Sequence, residues 1–493
     1  MTIEWTQYQS QSVFDELIDT HGTPRAAALG LTQRLQAFSN SELIALTNAA
    51  DLVIKEMGIT FTVYSEDHKM IDRCWPFDVI PRTMSRTEWQ TIEQGLKQRV
   101  KALNLFIDDL YHDQNIIKDG IFPKELLENS KNFRPECIGI DVPFQTWAHV
   151  CGSDLVRDED GTVYVLEDNL RVPSGVSYMI ENRSVMKRVF PDLFDSYNVL
   201  PVDEYPMQLF DTLAALSPRP VQYPEVVVLT PGIYNSAYFE HTFLARQMGC
   251  ELVEGRDLVV KEDDCVYMRT IEGLQRVDVI YRRIDDLFLD PEVFHKDSLL
   301  GVAGLMRAWR AGNVALANAP GAGVADDKVV YSFVPEIIKY YLNENILLPN
   351  VPTYRCMYPD ELEYVLKNIE KMVIKPANES GGYGMLVGPK SPQEEIEKFK
   401  ILIQQDPRNY IAQPTLNLST VPTLVDKDGE KIVQPRHVDL RPFILSGDQT
   451  YVTMGGLTRV ALVEGSLVVN SSQGGGSKDT WIVDGHIPVA NEN

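Results

Sequence analysis

The 493-residue sequence predicts a mixed α/β protein, with features of the α/β and α+β classes. Apolar residues repeat at helical spacing over the first 130 residues, and strand periodicity takes over at 141–169. Residues 225–254 have the pattern of a β-α-β unit, the building block of parallel sheets. We therefore expect four regions: a largely helical N-terminal region at 1–140, strands followed by helices at 141–218, an α/β domain at 219–318, and a mixed region at 319–493.

Composition and charge limit the classes of function. The chain has 46 lysines and arginines against 70 aspartates and glutamates, a formal charge of −24, which argues against binding to nucleic acid or anionic lipid. Its six cysteines are scattered without a Cys-x-x-Cys motif, so we expect no structural zinc site or thioredoxin-like chemistry. No secretory signal and no apolar run of membrane-spanning length are visible. These features predict a cytoplasmic protein without a membrane or nucleic-acid partner.

Capping signals mark two helices in the N-terminal region. Ser39 and Glu42 have the spacing of a capping box and precede apolar residues at helical spacing. Ser85 and Glu88 repeat this spacing before a second, longer helical pattern. Between the two helices, apolar residues alternate at 59–63, which predicts a short strand.

The densest polar cluster follows an apolar strand at 162–166. Glu167 and Asn169 are two residues apart, so both side chains point to one face of the predicted strand. If 158–161 forms a hairpin turn, Asp154 on the partner strand projects from that same face. Three oxygen ligands on one side of a hairpin suit Mg²⁺, which completes its coordination with water and phosphate. The alternative is a solvated acidic turn and strand end.

A lysine and a glycine-rich loop form the second cluster. Residues 372–375 have the pattern of a strand that ends in Lys375, and a glycine-rich loop follows at 378–384. Glycine lets backbone N–H groups close around phosphate oxygens, and a lysine on a strand can neutralise a phosphate. The alternative is an ordinary hairpin loop beside an exposed lysine.

Two polar segments near the C-terminal end are candidates for contacts to an anion. In one predicted strand His437, Asp439 and Arg441 share a face, and Arg459 follows after the next turn. Arginine is suited to bidentate contacts with phosphate or carboxylate, although an arginine beside an aspartate is usually only an ion pair. Residues 470–479 have the composition of a flexible linker, or form a polar loop for an anion.

Taken in chain order, these motifs resemble the ATP-grasp ligases. Lys375 with its loop, a hinge at 411–414, DLRPFILSGD and GGLTRVA occur in the family's order. The strand pair that ordinarily ends this series and carries the magnesium ligands, GSDLVRDEDGTVYVLEDN, occurs here about 300 residues earlier. This arrangement is similar to the circularly permuted ATP-grasp proteins, a group with glutathionylspermidine-synthase-like enzymes. EDNLRVPSGVSYMIENR and ADDKVVYSFVPEIIKYY also resemble that group.

The resemblance implies a circularly permuted ATP-grasp fold that uses ATP and Mg²⁺. The permuted magnesium-binding segment would lie in 141–218, a pre-ATP-grasp domain in 219–318, and the main nucleotide-binding region in 319–493. Asp154, Glu167 and Asn169 would hold Mg²⁺. The residues implied to contact ATP are Lys328, Lys375, Asn378, Ser380, Gly381, Gly382, Tyr383, Gly384 and, at the adenine edge, Gln413. The hinge lacks the acidic residue that many relatives place against the ribose, which leaves the ribose contact unassigned.

The implied activity is ATP-dependent ligation. A substrate carboxylate would form an acyl-phosphate, and an amine or other nucleophile would then displace phosphate. Arg441 would face the acyl-phosphate, with Arg171 or Arg459 as secondary candidates, and no protein nucleophile is needed. The expected partners are a small-molecule carboxylate and amine, or a peptide acceptor. The alternatives are a non-catalytic nucleotide-binding partner or regulatory protein, and a small-molecule phosphotransferase.

Overall fold

The computed structural model describes residues 5, 8, 13–64, 70–377, 384–427, 430–466, 469 and 475–484. Five of the predicted loop residues lie outside the described residues: Asn378, Ser380, Gly381, Gly382 and Tyr383. Residues 470–474 lie outside them as well. The predicted mixed α/β class is confirmed, because helices cover several separate sheets.

Fourteen α-helices are distributed over the described chain. The helices are α1 (Leu29–Ala37), α2 (Asn40–Glu56), α3 (Arg86–Tyr111), α4 (Asn115–Lys118), α5 (Lys124–Glu128), α6 (Val176–Val189), α7 (Pro191–Ser196), α8 (Tyr205–Ala214), α9 (Tyr238–Met248), α10 (Leu305–Arg310), α11 (Lys328–Ser332), α12 (Val334–Leu342), α13 (Pro359–Asn368) and α14 (Gln393–Gln405). Among the residues described, none of these helices has the length and apolar character to cross a membrane.

The strands build one large sheet and several smaller ones. They are β1 (Thr60–Tyr64), β2 (Met70–Cys74), β3 (Phe77–Ser85), β4 (Val150–Arg157), β5 (Val163–Asn169), β6 (Val226–Leu229), β7 (Glu251–Val253), β8 (Leu258–Val260), β9 (Val266–Thr270), β10 (Gly273–Arg276), β11 (Val279–Arg282), β12 (Ala315–Ala317), β13 (Tyr354–Arg355), β14 (Met372–Pro376), β15 (Leu386–Val387), β16 (Tyr410–Pro414), β17 (Thr420–Lys427), β18 (Glu430–Arg441), β19 (Phe443–Ser446), β20 (Thr450–Val452), β21 (Leu457–Val460) and β22 (Gly476–Val483).

The N-terminal region contains the predicted helices and also contributes to the large sheet. Ser39 caps α2 and forms the complete capping box with Glu42, and Ser85 caps α3 by accepting from the Glu88 N–H. The predicted short strand is β1, which pairs with β2. Strand β3 is buried along nearly its whole length and runs parallel to β22, so this region is less purely helical than its pattern predicts.

The acidic hairpin β4–β5 joins strands from the far end of the chain. The large sheet has the order β20-β19-β4-β18-β21-β22-β3, with β5 on β4 and β17 on β18. Strand β4 pairs with both β18 and β19 in antiparallel orientation. The permuted topology predicts this pairing, whereas a sequential arrangement of domains would keep the hairpin with its neighbours in sequence.

The register of the hairpin places the predicted metal ligands together. The turn lies at 158–161 as predicted, Asp154 is directly opposite Glu167, and Asn169 is opposite Gly152. A bulge follows Asp154, which shifts the register of the rest of the hairpin. Because strand side chains alternate, Glu167 and Asn169 share one face and meet Asp154 there.

The opposite face of the hairpin is anchored by a buried ion pair. Asp168, which lies between Glu167 and Asn169, accepts from Arg99 Nε at 2.8 and 2.9 Å and from Ser153 Oγ at 2.8 Å. Arg99 belongs to the long helix α3, and both members of the pair are almost fully buried. The pair therefore fixes which face of β5 carries the candidate ligands.

Two further sheets are inserted in sequence between strands β5 and β17 of the large sheet. The sheet β12-β11-β6-β7 is parallel and contains the predicted β-α-β unit, here β6-α9-β7. The four-stranded sheet β13-β16-β14-β15 packs one face on α13 and α14 and has its own apolar core. The predicted hinge at 411–414 is part of strand β16 in this small sheet. The domain boundaries given above stay predictions.

The described part of the segment 470–479 is neither linker nor anion loop. Residues from Gly476 onwards form the buried strand β22. Lys478 donates to Asp78, to the Ile80 carbonyl at 3.0 Å and to the Pro422 carbonyl at 3.0 Å. These partners lie far away in sequence, so composition alone gave no sign that this lysine is structural.

Breaking the anchor of the hairpin should destabilise the protein strongly. We expect Arg99→Met to lower the free energy of unfolding by about 3–5 kcal/mol, because Asp168 stays buried without its counter-charge. Urea unfolding followed by circular dichroism measures the change. The control is Lys124→Met, which removes an exposed pair with Glu128 at 2.8 Å and should leave the midpoint unchanged. Equal shifts in the two variants would contradict the anchoring role.

Candidate active site

A cavity of about 680 Å³ lies where the large sheet and the small sheet meet. The sequence-predicted residues that line it are Asp154, Glu167, Asn169, Lys328, Lys375, Gln413, Arg441 and Arg459. The three hairpin residues at 154–169 lie more than 200 positions before Lys375, Gln413, Arg441 and Arg459 in the sequence. A cavity of this size falls in the range of small-molecule sites.

Two arginines meet on one buried carboxylate at the floor of the cavity. Arg441 donates to both oxygens of Asp154, with Nη2 to Oδ2 at 2.8 Å, and Arg459 Nη2 donates to the same Oδ2 at 2.7 Å. Arg459 also pairs with Asp439, its direct partner across β18 and β21. Gly152 leaves room for this arrangement, because a Cβ there would lie 3.3 Å from Arg441 Cδ.

The charges of this network keep Asp154 ionised. Burial alone would raise the pKa of the Asp154 carboxyl, but the guanidiniums of Arg441 and Arg459 hold it below its ordinary value. Burial raises the pKa of the Asp439 carboxyl, against the opposing effect of Arg459. The floor therefore carries fixed positive groups beside a carboxylate that remains charged at neutral pH.

The oxygen atoms at the end of β5 fit a hard divalent cation. Asn169 Nδ2 donates to the Gly152 carbonyl at 3.0 Å, which fixes the orientation of the side-chain amide. Glu167 lies in the same cavity, with Lys328 Nζ 3.5 Å from its Oε2. The guanidiniums use three of the about four acceptor positions of Asp154, which leaves one on Oδ1.

This donor set is small for an all-protein metal site. Within the described ranges, no group of three or more histidines, cysteines, aspartates or glutamates could hold a metal ion. Two carboxylates and one amide suit Mg²⁺, which keeps several waters and shares its coordination with substrate phosphates. The residues thus fit a cation that arrives with a phosphate ligand.

One face of the small sheet forms a wall of the cavity. Val373 lies directly opposite both Gln413 and Val387, so these three side chains share a face with Lys375. Alternate residues such as Ile374 pack into the core beneath. We call Val373, Lys375, Val387 and Gln413 the small-sheet wall. It combines an apolar surface with one cation, and Gln413 Nε2 donates to Thr353 Oγ1 at 3.0 Å.

Lys328 is held beside the same wall by its neighbours. It is the first residue of α11, and its N–H donates to the Ala377 carbonyl at 3.1 Å, just after strand β14. Asp327 caps the helix by accepting from Val329 N–H and pairs with Arg408 at 2.8 Å. This contact between α11 and the end of β14 brings a second lysine to the cavity.

Lys375 is a buried ammonium group with an altered acidity. Burial, together with the charge of Lys328, lowers the pKa of Lys375 to about 8, although the negative charge of Glu167 opposes this shift. Burial disfavours the charged form of a lysine, whereas a nearby anion favours it. An anion bound between Lys328 and Lys375 would therefore be stabilised by both groups.

The structure keeps two predicted site residues away from the cavity lining. Arg171 donates from Nε to Asp326 at 2.6 Å and from Nη1 to Asp285 at 3.3 Å, and it is not among the lining residues. Gly384 has a positive φ of 68° and is exposed, while its neighbour Met385 lines the cavity. Their functional roles stay predictions.

Sequence reasoning missed several residues of the cavity as site residues. Asp439 and Arg441 are two residues apart on one face of their strand, and this spacing was a sufficient signal to include Asp439 among the site residues. Phe61 lies in the predicted strand 59–63 and Tyr178 in the quoted segment 167–183, but neither pattern indicated that these side chains line a cavity. They reach the cavity only through the tertiary fold.

A match to a known protein family agrees with the permuted strand order of the large sheet. The profile described as circularly permuted ATP-grasp type 2 matches residues 81–461. The chain belongs to this family. The match covers the acidic hairpin, Lys375 and both arginines of the floor, so the resemblance stated from the motifs is confirmed, as is the permuted ATP-grasp fold.

Relatives of this permuted ATP-grasp protein match almost its whole length. An uncharacterized protein of Synechocystis sp. is 56% identical over 479 residues, 97% of this chain and 98% of that protein. A protein of Frankia alni with the provisional name of a glutamate–cysteine ligase is 41% identical over 474 residues, 95% of this chain. The match covers 54% of the Frankia protein, so the chain spans about half the length of that relative.

A solved structure shares the fold. The glutathione synthetase-like effector of Globodera pallida, in its apo form, aligns with a TM-score of 0.59 at 13% sequence identity. The alignment covers 90% of this chain and 98% of the effector. At this identity the likeness concerns the fold alone.

The acidity of Lys375 can be measured directly. In protein labelled with ¹³C at the lysine Cε, we expect one resonance to titrate with a midpoint of about 8. Below this pH the side chain is charged, and above it the buried ammonium loses its proton. Lys375→Met should remove that resonance and leave the other lysine resonances in place. A midpoint at the ordinary value of 10.5 would contradict the burial of this group beside the cavity.

Proposed function

We propose that the protein is an ATP-dependent ligase that joins a carboxylate to an amine or another nucleophile through an acyl-phosphate. The observation that carries the proposal is the convergence of Glu167, Asn169, Lys328, Lys375 and Arg441 on one cavity. Phosphoryl transfer needs cations on both sides of the transferred group and little other help from the protein. The convergence supplies these groups from four separate elements, β5, α11, β14 and β18.

In the proposed complex, the small-sheet wall receives the nucleotide. Its apolar side chains would pack against the adenine, and Gln413 with its strand backbone would meet the base edge. Lys328 and Lys375 would neutralise the phosphates. Glu167 and Asn169 would hold Mg²⁺, with Asp154 offering its remaining acceptor position. Bound there, Mg²⁺ would neutralise charge on the phosphates and orient them.

The first chemical step transfers the γ-phosphoryl group. A carboxylate oxygen of the substrate attacks the γ-phosphorus, the bond to the β–γ bridging oxygen breaks, and ADP leaves. Arg441, which points into the cavity from the floor, would stabilise the negative charge on the transferred group. Its pairing with Asp154 holds the guanidinium in place before the substrate binds, so little reorganisation is needed.

The second step needs no protein nucleophile. The amine nitrogen attacks the acyl carbon, the bond to the phosphate oxygen breaks, and the amine loses a proton as the amide forms. The fixed charges of Arg441 and Arg459 would stabilise the tetrahedral intermediate and the leaving phosphate. The provisional name of the Frankia relative, a glutamate–cysteine ligase, describes a reaction of this type and supports the proposal.

Replacement of Glu167 tests the metal and nucleotide site. We expect Glu167→Gln to weaken Mn²⁺ binding in the presence of ADP, measured by electron paramagnetic resonance, and to reduce ADP release from ATP at least about a hundredfold. The reason is that one hard anionic oxygen is lost from the site. The matched control is Glu159→Gln in the exposed turn of the same hairpin, which should behave as wild type.

The same assay separates the competing functions. Mn²⁺ and nucleotide binding without ADP release for any acid would favour a regulatory nucleotide-binding protein. ADP release with stable transfer of phosphate to the acceptor would favour a phosphotransferase. Wild-type binding and turnover in Glu167→Gln would contradict the assignment of this site.

A further inference from the structure

A second wall of the cavity is formed by elements outside the small sheet. Its lining residues are Phe61 on β1, Ser174 and Tyr178 at the start of α6, and Ser236 and Ala237 just before α9. We call these five residues the aromatic wall. None of its side chains is charged, in contrast to the floor and the small-sheet wall.

Tyr178 gives this wall a rigid aromatic support. Trp75 stacks on its ring with 3.7 Å between centroids, and Phe239 lies nearly parallel with 5.6 Å between centroids. Phe61 meets the same ring edge to face, with centroids 6.2 Å apart. The Tyr178 hydroxyl donates to the Thr60 carbonyl at 2.8 Å, so its polar atom is already used. Tyr178 is almost fully buried, so it supports the wall from behind, and Phe61 is the aromatic residue of the wall that stays partly exposed.

A buried glutamate joins the parts of the aromatic wall that lie beside α6 and α9. Glu240 on α9 accepts from the N–H groups of Gly175 and Ser177 at 2.7 and 3.1 Å, and it pairs with Arg283 at 2.9 Å. This carboxylate joins the starts of α6 and α9, and it occupies the N-terminal end of α6. The aromatic wall is therefore pre-formed by the fold.

The aromatic wall lies directly beside Arg441, the arginine proposed to stabilise the transferred phosphoryl group. Arg441 Nη1 donates to the Ser174 carbonyl at 3.2 Å, so the guanidinium and the wall are in direct contact. Of the carboxylates that line the described cavity, Asp154 and Asp439 are paired with arginines, and Glu167 lies beside Lys328. The charges thus favour a substrate carboxylate near Arg441, with uncharged atoms extending from it along the wall.

We propose that the aromatic wall binds the body of the carboxylate substrate and selects acids with an aromatic or branched apolar group next to the reacting carboxylate. This inference rests on the proposed ligase function and names the class of its acid substrate. Phe61 is the residue that determines the preference, because it lines the cavity and is only partly buried. Burying an apolar group of the substrate against it removes both surfaces from water.

The test measures hydroxamate formation with hydroxylamine in place of the natural nucleophile. Its nitrogen attacks the acyl carbon of the acyl-phosphate, and phosphate leaves. The acids are N-acetylphenylalanine, N-acetylleucine, N-acetylglycine and N-acetylglutamate, which differ only in the group next to the carboxylate. We expect kcat/KM to be about tenfold or more higher for the first two acids, the discrimination that a hydrophobic pocket supplies.

Variants of Phe61 connect the preference to the wall. Phe61→Ala should lower kcat/KM for N-acetylphenylalanine about tenfold, mainly through KM, with N-acetylglycine unchanged. Phe61→Leu should keep the preference for N-acetylleucine. The matched control is Phe38→Ala, since Phe38 is also partly buried on the same core and packs on Phe190, but does not line the cavity. Titration with Mg²⁺ and a non-hydrolysable ATP analogue should give the same affinity for all variants.

Two results would overturn the inference and leave the ligase function standing. One is hydroxamate formation with no preference among the acids or a preference for N-acetylglutamate. The other is a preference for apolar acids that Phe61→Ala leaves unchanged. Turnover of none of the four acids would also overturn it, because the inference requires the two apolar acids to react. ADP release that depends on acid but yields no hydroxamate would contradict the acyl-phosphate, and with it the proposed function itself.

Discussion

The buried carboxylate of Asp154 is the point on which the site depends. Arg441 and Arg459 both donate to it, although they lie 287 and 305 positions away in sequence. A buried charge is costly unless it is paired, so the acidic hairpin and strands β18 and β21 stabilise one another only when they are assembled. This pairing brings the two halves of the permuted sequence into one cavity and orients the arginines before any ligand binds.

The surrounding fold divides the site into parts with different properties. The floor belongs to the large sheet and is fixed by ion pairs on both faces of the hairpin. The small sheet has its own apolar core and contributes the buried Lys375 from the face that lines the cavity. The aromatic wall combines Phe61 of strand β1 with residues beside α6 and α9, and α9 belongs to the layer of the parallel sheet. Charge is thus concentrated on the floor and at Lys375 of the small-sheet wall, whereas the aromatic wall carries no charged side chain.

Periodicity in the sequence predicted the parts of this site that lie on strands. The spacing of Glu167 and Asn169 predicted that they share one face of a strand. The apolar residues before Lys375 predicted that this lysine lies near the end of a strand. The sequence predicted that Asp154 shares a face with Glu167 and Asn169. It did not predict that Asp154 lies directly opposite Glu167, because the bulge after Asp154 has no sequence signal. Lys478 and Arg171 show the limit of motif reasoning, since both are held by partners far away in the chain. The aromatic wall could not be predicted, because Phe61, Trp75 and Tyr178 meet only in the folded protein.

A crystal structure with Mg²⁺ and a non-hydrolysable ATP analogue tests the central claim that the two ends of the permuted sequence serve one nucleotide. The account predicts oxygen atoms of Glu167 and Asn169 at about 2.1 Å from the metal. It also predicts phosphate oxygens within hydrogen-bonding distance of Lys375 and the γ-phosphate facing Arg441. A triphosphate bound away from β5, or a metal held without Glu167, would contradict it.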